Sequence, residues 1–222
     1  MQWTRYLLIV LIGIVLPAAS FCLAKLGLRY AFKVYHTPRE TKTFIQLGLY
    51  FGLTTISTVV LMMRTETLRL SVFMVIGLLI MWMIACFDIL TGRIPVFLMV
   101  AAFLLGLTFG LNNDRWLTSL MGGLANLALG STLHWFGKRY AAIRFQKHPN
   151  YAGIGMGDAY GAGAMGALVG LSLAIFGFLI ALILAVLYAL PISMLEKRAI
   201  TSMTVKLGPS FLLVTIVLFF YV

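Results

Sequence analysis

The chain is 222 residues long, 62% hydrophobic and only 10% charged, a balance that excludes an ordinary water-soluble domain with its much larger charged surface. Its net charge of +11 does not signal nucleic acid, because the basic residues are confined to short gaps between apolar runs, where Lys and Arg hold cytoplasmic loops in place. Cys22 and Cys86 both lie inside apolar segments and no Cys-x-x-Cys pair is present, which excludes a disulfide framework and a zinc site of that kind.

The first apolar stretch follows Arg5 and ends near Ala24. It has the look of a secretory signal ahead of Cys22, but Phe21 is too large for such a cleavage site, so the segment reads as a first span. At about 20 apolar residues per span, further helices are predicted near 44–63, 70–87, 94–111, 116–136 and 205–222, after the first at 6–24. The apolar block from 159 to 192 would make a single helix roughly 50 Å long, against a hydrocarbon core of about 30 Å. Two helices, about 159–171 and 173–192, fit better.

Charge tests that division independently. With eight spans and both termini outside, only Arg5, Arg64, Arg69 and Arg115 of the 17 basic residues face outward, which leaves 13 inside. Keeping 159–192 as one helix moves Lys197, Arg198 and Lys206 outward, and the positive-inside bias nearly vanishes. The expected fold is therefore all-α: a single integral-membrane domain over 1–222 with about eight transmembrane helices. In that topology Asp88 closes the third span and Asp158 opens the sixth, both at the cytoplasmic boundary.

These two are the only carboxylates among six that sit against the ends of long apolar runs; Glu40, Glu66, Asp114 and Glu196 fall in polar connections. An acid at the edge of hydrocarbon is costly and is a functional hypothesis by default. Asp88 lies in Cys86-Phe87-Asp88-Ile89-Leu90-Thr91-Gly92-Arg93-Ile94-Pro95. Thr91 and Gly92 suit a tight turn, and Pro95 suits a helix's first turn, where a missing N–H is harmless. The plain alternative is that Asp88 pairs with Arg93 at the interface.

Asp158 follows Gly153-Ile154-Gly155-Met156-Gly157, whose glycines permit positive φ and close backbone approach beside the acid. A dinucleotide fingerprint is the other reading of such a run, but no strand precedes it and a membrane span follows. Gly166 and Gly170 form a small-x-x-x-small pair suited to helix packing.

Two carboxylates in one low-dielectric pocket share a proton, so that one acts as base on a water while the other hydrogen-bonds the scissile carbonyl. This is aspartic-protease chemistry, which needs no metal, nucleotide or other cofactor. Its pH dependence belongs to the pair.

Asp88 with Ile94-Pro95, Gly155-x-Gly157-Asp158 opening a small-residue helix, and Leu207-Gly208-Pro209 before the final apolar run together resemble the type IV prepilin peptidase family over about residues 70–215. The resemblance implies a polytopic membrane aspartic protease of the bacterial inner membrane that cleaves the basic leader of prepilins and pseudopilins at the cytoplasmic face. Asp88 and Asp158 would be its catalytic pair, and Pro95, Gly155, Gly157, Tyr160, Gly208 and Pro209 would shape the site or bind substrate. Family members often carry Asn after the Ile-Pro and Lys two places after the second aspartate, where this chain has Val96 and Tyr160. Many bacterial members also hold two Cys-x-x-Cys pairs in a cytoplasmic insertion and are associated with methylation of the new N-terminus. The corresponding loop here, about 25–43, has no cysteine, so zinc is not implied and the methylation step stays open.

His36 and His148 fall in basic loops where solvation explains them, whereas His134, beside Trp135, reads as an interfacial anchor that could also approach the aspartates. The basic segment 137–157 is expected to be a loop that sets topology and meets anionic lipid headgroups. The expected partners are thus a prepilin-like substrate and membrane lipid, with no nucleic acid. Two rivals remain: a broader intramembrane aspartic protease that cuts within a transmembrane segment, and a proton-coupled transporter that uses the same two acids.

Overall fold

A computed structural model of the protein describes residues 41–64, 68–145, 154–196 and 206–221. These form seven helices, with no strand among the described residues: α1 (Thr41–Arg64), α2 (Leu68–Thr91), α3 (Val96–Asn112), α4 (Trp116–Phe145), α5 (Met156–Val169), α6 (Leu171–Glu196) and α7 (Gly208–Phe219). The predicted helix at 6–24, with Cys22, lies outside the described residues, as do His36 and His148. Two helical stretches, Arg69–Thr91 and Leu171–Leu190, are long and apolar enough to cross a membrane. One face of α6 leaves Phe176, Leu179, Ile183 and Leu187 more than half exposed, a surface suited to hydrocarbon rather than water.

The block 159–192 divides at Gly170. Its φ of 79° and ψ of 165° fall in a region essentially reserved for glycine. Its N–H caps α5 by donating to the Gly166 carbonyl at 2.9 Å, and its own carbonyl accepts from Ala174 N–H at 2.9 Å to begin α6. Gly170 therefore breaks the chain's direction, a role beyond the packing expected of it. Gly166 does pack: a Cβ added at Gly122 on α4 would meet its carbonyl oxygen at 2.6 Å.

Such contacts recur along α5, whose residues from Gly161 to Val169 are all buried and which touches α2, α3, α4, α6 and α7. A Cβ at Gly106 on α3 would lie 2.5 Å from Ala167, and one at Gly130 on α4 would lie 2.7 Å from Ala159. Backbones brought into van der Waals contact through small residues hold these helices together, the mode of packing by which helices associate in lipid. Asn126, fully buried on α4, adds a polar link by donating to the carbonyls of Ala162 on α5 at 3.2 Å and Ala174 on α6 at 3.0 Å. The larger core side chains gather where α7 meets α2 and α6, with Trp82, Phe178 and Phe211 fully enclosed and the Phe178 and Phe211 rings stacked, their centroids 6.3 Å apart. Cys86 is buried in this core as a free thiol.

Several boundaries differ from those predicted: α6 runs on to Glu196 and α7 is confined to Gly208–Phe219. The segment 137–145, expected to be loop, continues α4. Its Lys138, Arg139, Ala141 and Ala142 are good helix formers; polarity ended the apolar run without ending the helix. Likewise α2 runs on through Asp88 to Thr91, so that the acid sits inside a helical last turn. At 14 and 12 residues, α5 and α7 are shorter than the roughly 20 residues of a full span.

Candidate functional site

The end of α2 and the starts of α3, α5 and α7 converge at one end of the bundle. At the C-terminus of α2, Gly92 takes a φ of 62° and donates its N–H to the Asp88 carbonyl at 2.9 Å. Thr91 Oγ1 donates to the Phe87 carbonyl and accepts from Arg93 N–H at 3.1 Å. The reversal is therefore tight, as Thr91-Gly92 suggests. Pro95 differs slightly from expectation: it stands one position before α3, as the N-cap, with extended backbone.

Asp88 is buried, with 5% of its surface exposed. Its carboxylate receives the Gly208 N–H on Oδ2 at 2.8 Å. Gly208 opens α7, with Pro209 behind it in the first turn. The first N–H groups of a helix have no partner within it and carry partial positive charge, so Asp88, placed unfavourably at the negative end of its own helix, is countered by the positive end of α7. Only glycine allows this approach, because a Cβ at position 208 would stand 2.8 Å from Asp88 Cβ and 3.2 Å from Ala85 Cα.

Asp158 is held by a parallel device. It lies in the first turn of α5, and its Oδ2 accepts the N–H of Gly155, the N-cap, at 2.8 Å, the carboxylate half of a capping box. The described glycines of this motif, Gly155 and Gly157, do not use the positive φ open to them: Gly155 has φ −74°, and among described glycines only Gly92 and Gly170 have positive φ. What the motif uses is the absence of side chains. A Cβ at Gly155 would crowd Asp158 Oδ2 at 3.3 Å, whereas one at Gly157 would make ordinary contact with Ile94 at 3.9 Å.

Asp88 and Asp158 line one cavity of about 540 Å³, together with Gly155, Gly157, Tyr160, Arg93 and Lys206 among others. Asp88 and Met99 form a buried floor, while Gly92, Val96, Gly155 and Tyr160 form an exposed rim. Asp158 lies within electrostatic reach of Asp88. Pro95 and Pro209 do not line the cavity: one positions the start of α3 and the other the start of α7. Among the described residues no three His, Cys, Asp or Glu gather where a metal ion could be held.

His134 stands outside the cavity, and its Nδ1 meets the Ile154 carbonyl at 2.7 Å. It thereby ties the second half of α4 to the residue just before Gly155. Lys206 is the participant that sequence reasoning missed. It counted only as a topological charge, and its one signal was adjacency to Leu207-Gly208-Pro209.

Residues 72–190 match the type IV leader peptidase family. No curated protein and no solved structure matches the chain.

Proposed function

Since this chain belongs to the type IV leader peptidase family, we propose that it is a membrane aspartic endopeptidase that removes the leader from type IV prepilin-like proteins at the cytoplasmic face of the bacterial inner membrane. The observation that carries the reading is that the two carboxylates, from motifs 70 positions apart in sequence, line one cavity with a buried floor and an open rim. The volume of about 540 Å³ falls in the range of ordinary ligand clefts, enough for a short stretch of extended peptide across the pair.

One carboxylate, ionised, takes a proton from a water while that water's oxygen attacks the scissile carbonyl carbon. The other, protonated, donates to the carbonyl oxygen as negative charge develops there. The tetrahedral intermediate collapses when a proton reaches the amide nitrogen, the C–N bond breaks, and the pair recovers its single shared proton. Gly208 N–H and Gly155 N–H each engage one carboxylate oxygen and hold both side chains in place through the cycle.

Eight spans with both termini outside remain the topology that best accounts for the basic residues, and it sets both acids at the inner boundary. The deciding experiment incubates purified protein in detergent with a prepilin substrate, without any proton gradient. Cleavage at the leader boundary that is lost in Asp88→Asn and Asp158→Asn supports the reading. Gradient-dependent uptake with no cleavage would favour a transporter, and cleavage within the transmembrane segment would favour a broader intramembrane protease.

A further inference from the structure

Asp88 is anchored from α7 by more than one bond. Lys206 precedes that helix by two residues, and its Nζ donates to the Ile89 carbonyl, while Gly208 N–H donates to Asp88 Oδ2. One three-residue segment thus grips two consecutive residues of α2. Ile89 lies in that helix's last turn, where carbonyls have no intrahelical donor, and it is buried, with 7% exposure. A buried carbonyl without a partner is costly, and a cation at a helix C-terminus also complements the dipole there. A lysine serving only as an interfacial charge would extend into water, whereas Lys206 is half-buried and turned onto the backbone beside the acid.

We propose that Lys206 is a positioning residue of the site: by holding the start of α7 to the last turn of α2, it sets the Gly208 N–H on Asp88 and fixes that carboxylate's orientation toward the cavity it shares with Asp158. The inference rests on the peptidase reading for its consequence in catalysis, but the clasp itself is a property of the fold. It acts through Asp88, so its loss lowers turnover rather than substrate affinity.

The test uses the full-length protein in detergent, comparing Lys206→Met, which keeps the aliphatic stem and loses the donor, with Lys206→Arg, which keeps a cationic donor. Amide hydrogen exchange at Gly208 is expected to quicken by about tenfold or more in the Met variant, since the segment can then open locally, and to stay near wild type in the Arg variant. With a prepilin substrate, Lys206→Met should lose on the order of 10²-fold in kcat, the scale of a small misplacement of a reacting group, with KM little changed and turnover substantially restored by Arg. Unchanged Gly208 exchange in Lys206→Met overturns the inference, as does near-wild-type kcat in that variant under conditions where Asp88→Asn is inactive. If the wild type cleaves nothing yet Gly208 exchange still depends on Lys206, the clasp is supported and the peptidase reading is what falls. Should Lys206→Met fail to fold, Lys206→Leu, which likewise has no side-chain donor, carries the same two expectations.

Discussion

Gly208 brings the first amide of α7 to within 2.8 Å of Asp88 Oδ2, so that an acid at the end of one helix is held by the beginning of another 120 residues away in sequence. Gly208→Ala should disturb this bond without removing any titratable group. Its Cβ would press on Asp88 Cβ and on the backbone of Ala85, neither of which can yield freely. A stability cost of about 1–3 kcal/mol is expected from such overpacking. Thermal melting in detergent measures that cost, and leader cleavage, which should fall more steeply than stability, measures the effect on Asp88.

Asp88→Asn and Asp158→Asn each keep the shape of the side chain and remove its acid–base capacity. Each should lower kcat by at least about 10²–10⁴-fold and leave the elution profile of the purified protein unchanged. The double variant should be little worse than either single one, because groups that act as a unit are far from additive. Near-full cleavage by either single variant would remove the basis for a paired mechanism.

Gly170→Ala tests the break between α5 and α6. An alanine at φ 79° and ψ 165° carries a strain of about 1–3 kcal/mol. A lowered melting temperature is expected, and an unchanged one would mean that the helices join in some other way.

His134→Ala removes the contact between α4 and the Ile154 carbonyl at the threshold of the glycine motif. The loss of a hydrogen bond worth about 1 kcal/mol should reduce cleavage by roughly fivefold, a far smaller effect than loss of either aspartate. Steady-state kinetics on the prepilin substrate separates the two scales. Inactivity as complete as that of Asp158→Asn would assign His134 a direct part in the reaction.

Tyr160→Lys alters the exposed rim of the cavity and not its floor. Exposed substitutions usually shift free energy by no more than about 0.5 kcal/mol, so turnover should stay within about threefold of wild type. A loss comparable to that of the aspartate variants would show that this face of α5 is used differently.

Local pattern carried much of this protein. Apolar runs located the helices, because the length and hydropathy of a segment are written in consecutive residues. The same logic divided 159–192 near Gly170, and singled out Asp88 and Asp158 as acids lodged against hydrocarbon-length segments beside Gly- and Pro-rich turns. It failed where polarity and helicity part company: α4 continues to Phe145 although its last turns are basic. At Gly155 it allowed for positive φ, which the backbone does not adopt, as well as for the close approach beside Asp158, which it does make.

What the chain by itself determined was therefore its helical, apolar character and the identity of the two conspicuous acids, since both follow from residue type and near-neighbour spacing. Only the tertiary structure decided that Gly208 and Lys206 reach Asp88 and Ile89, that His134 reaches Ile154, and that both acids border one cavity. Those relationships depend on how closely glycine and alanine faces let separate helices approach, and hence on the rotation and depth of each helix against its neighbours. Residues so far apart along the chain are brought together by the packing of every helix between them, which no short window of sequence encodes.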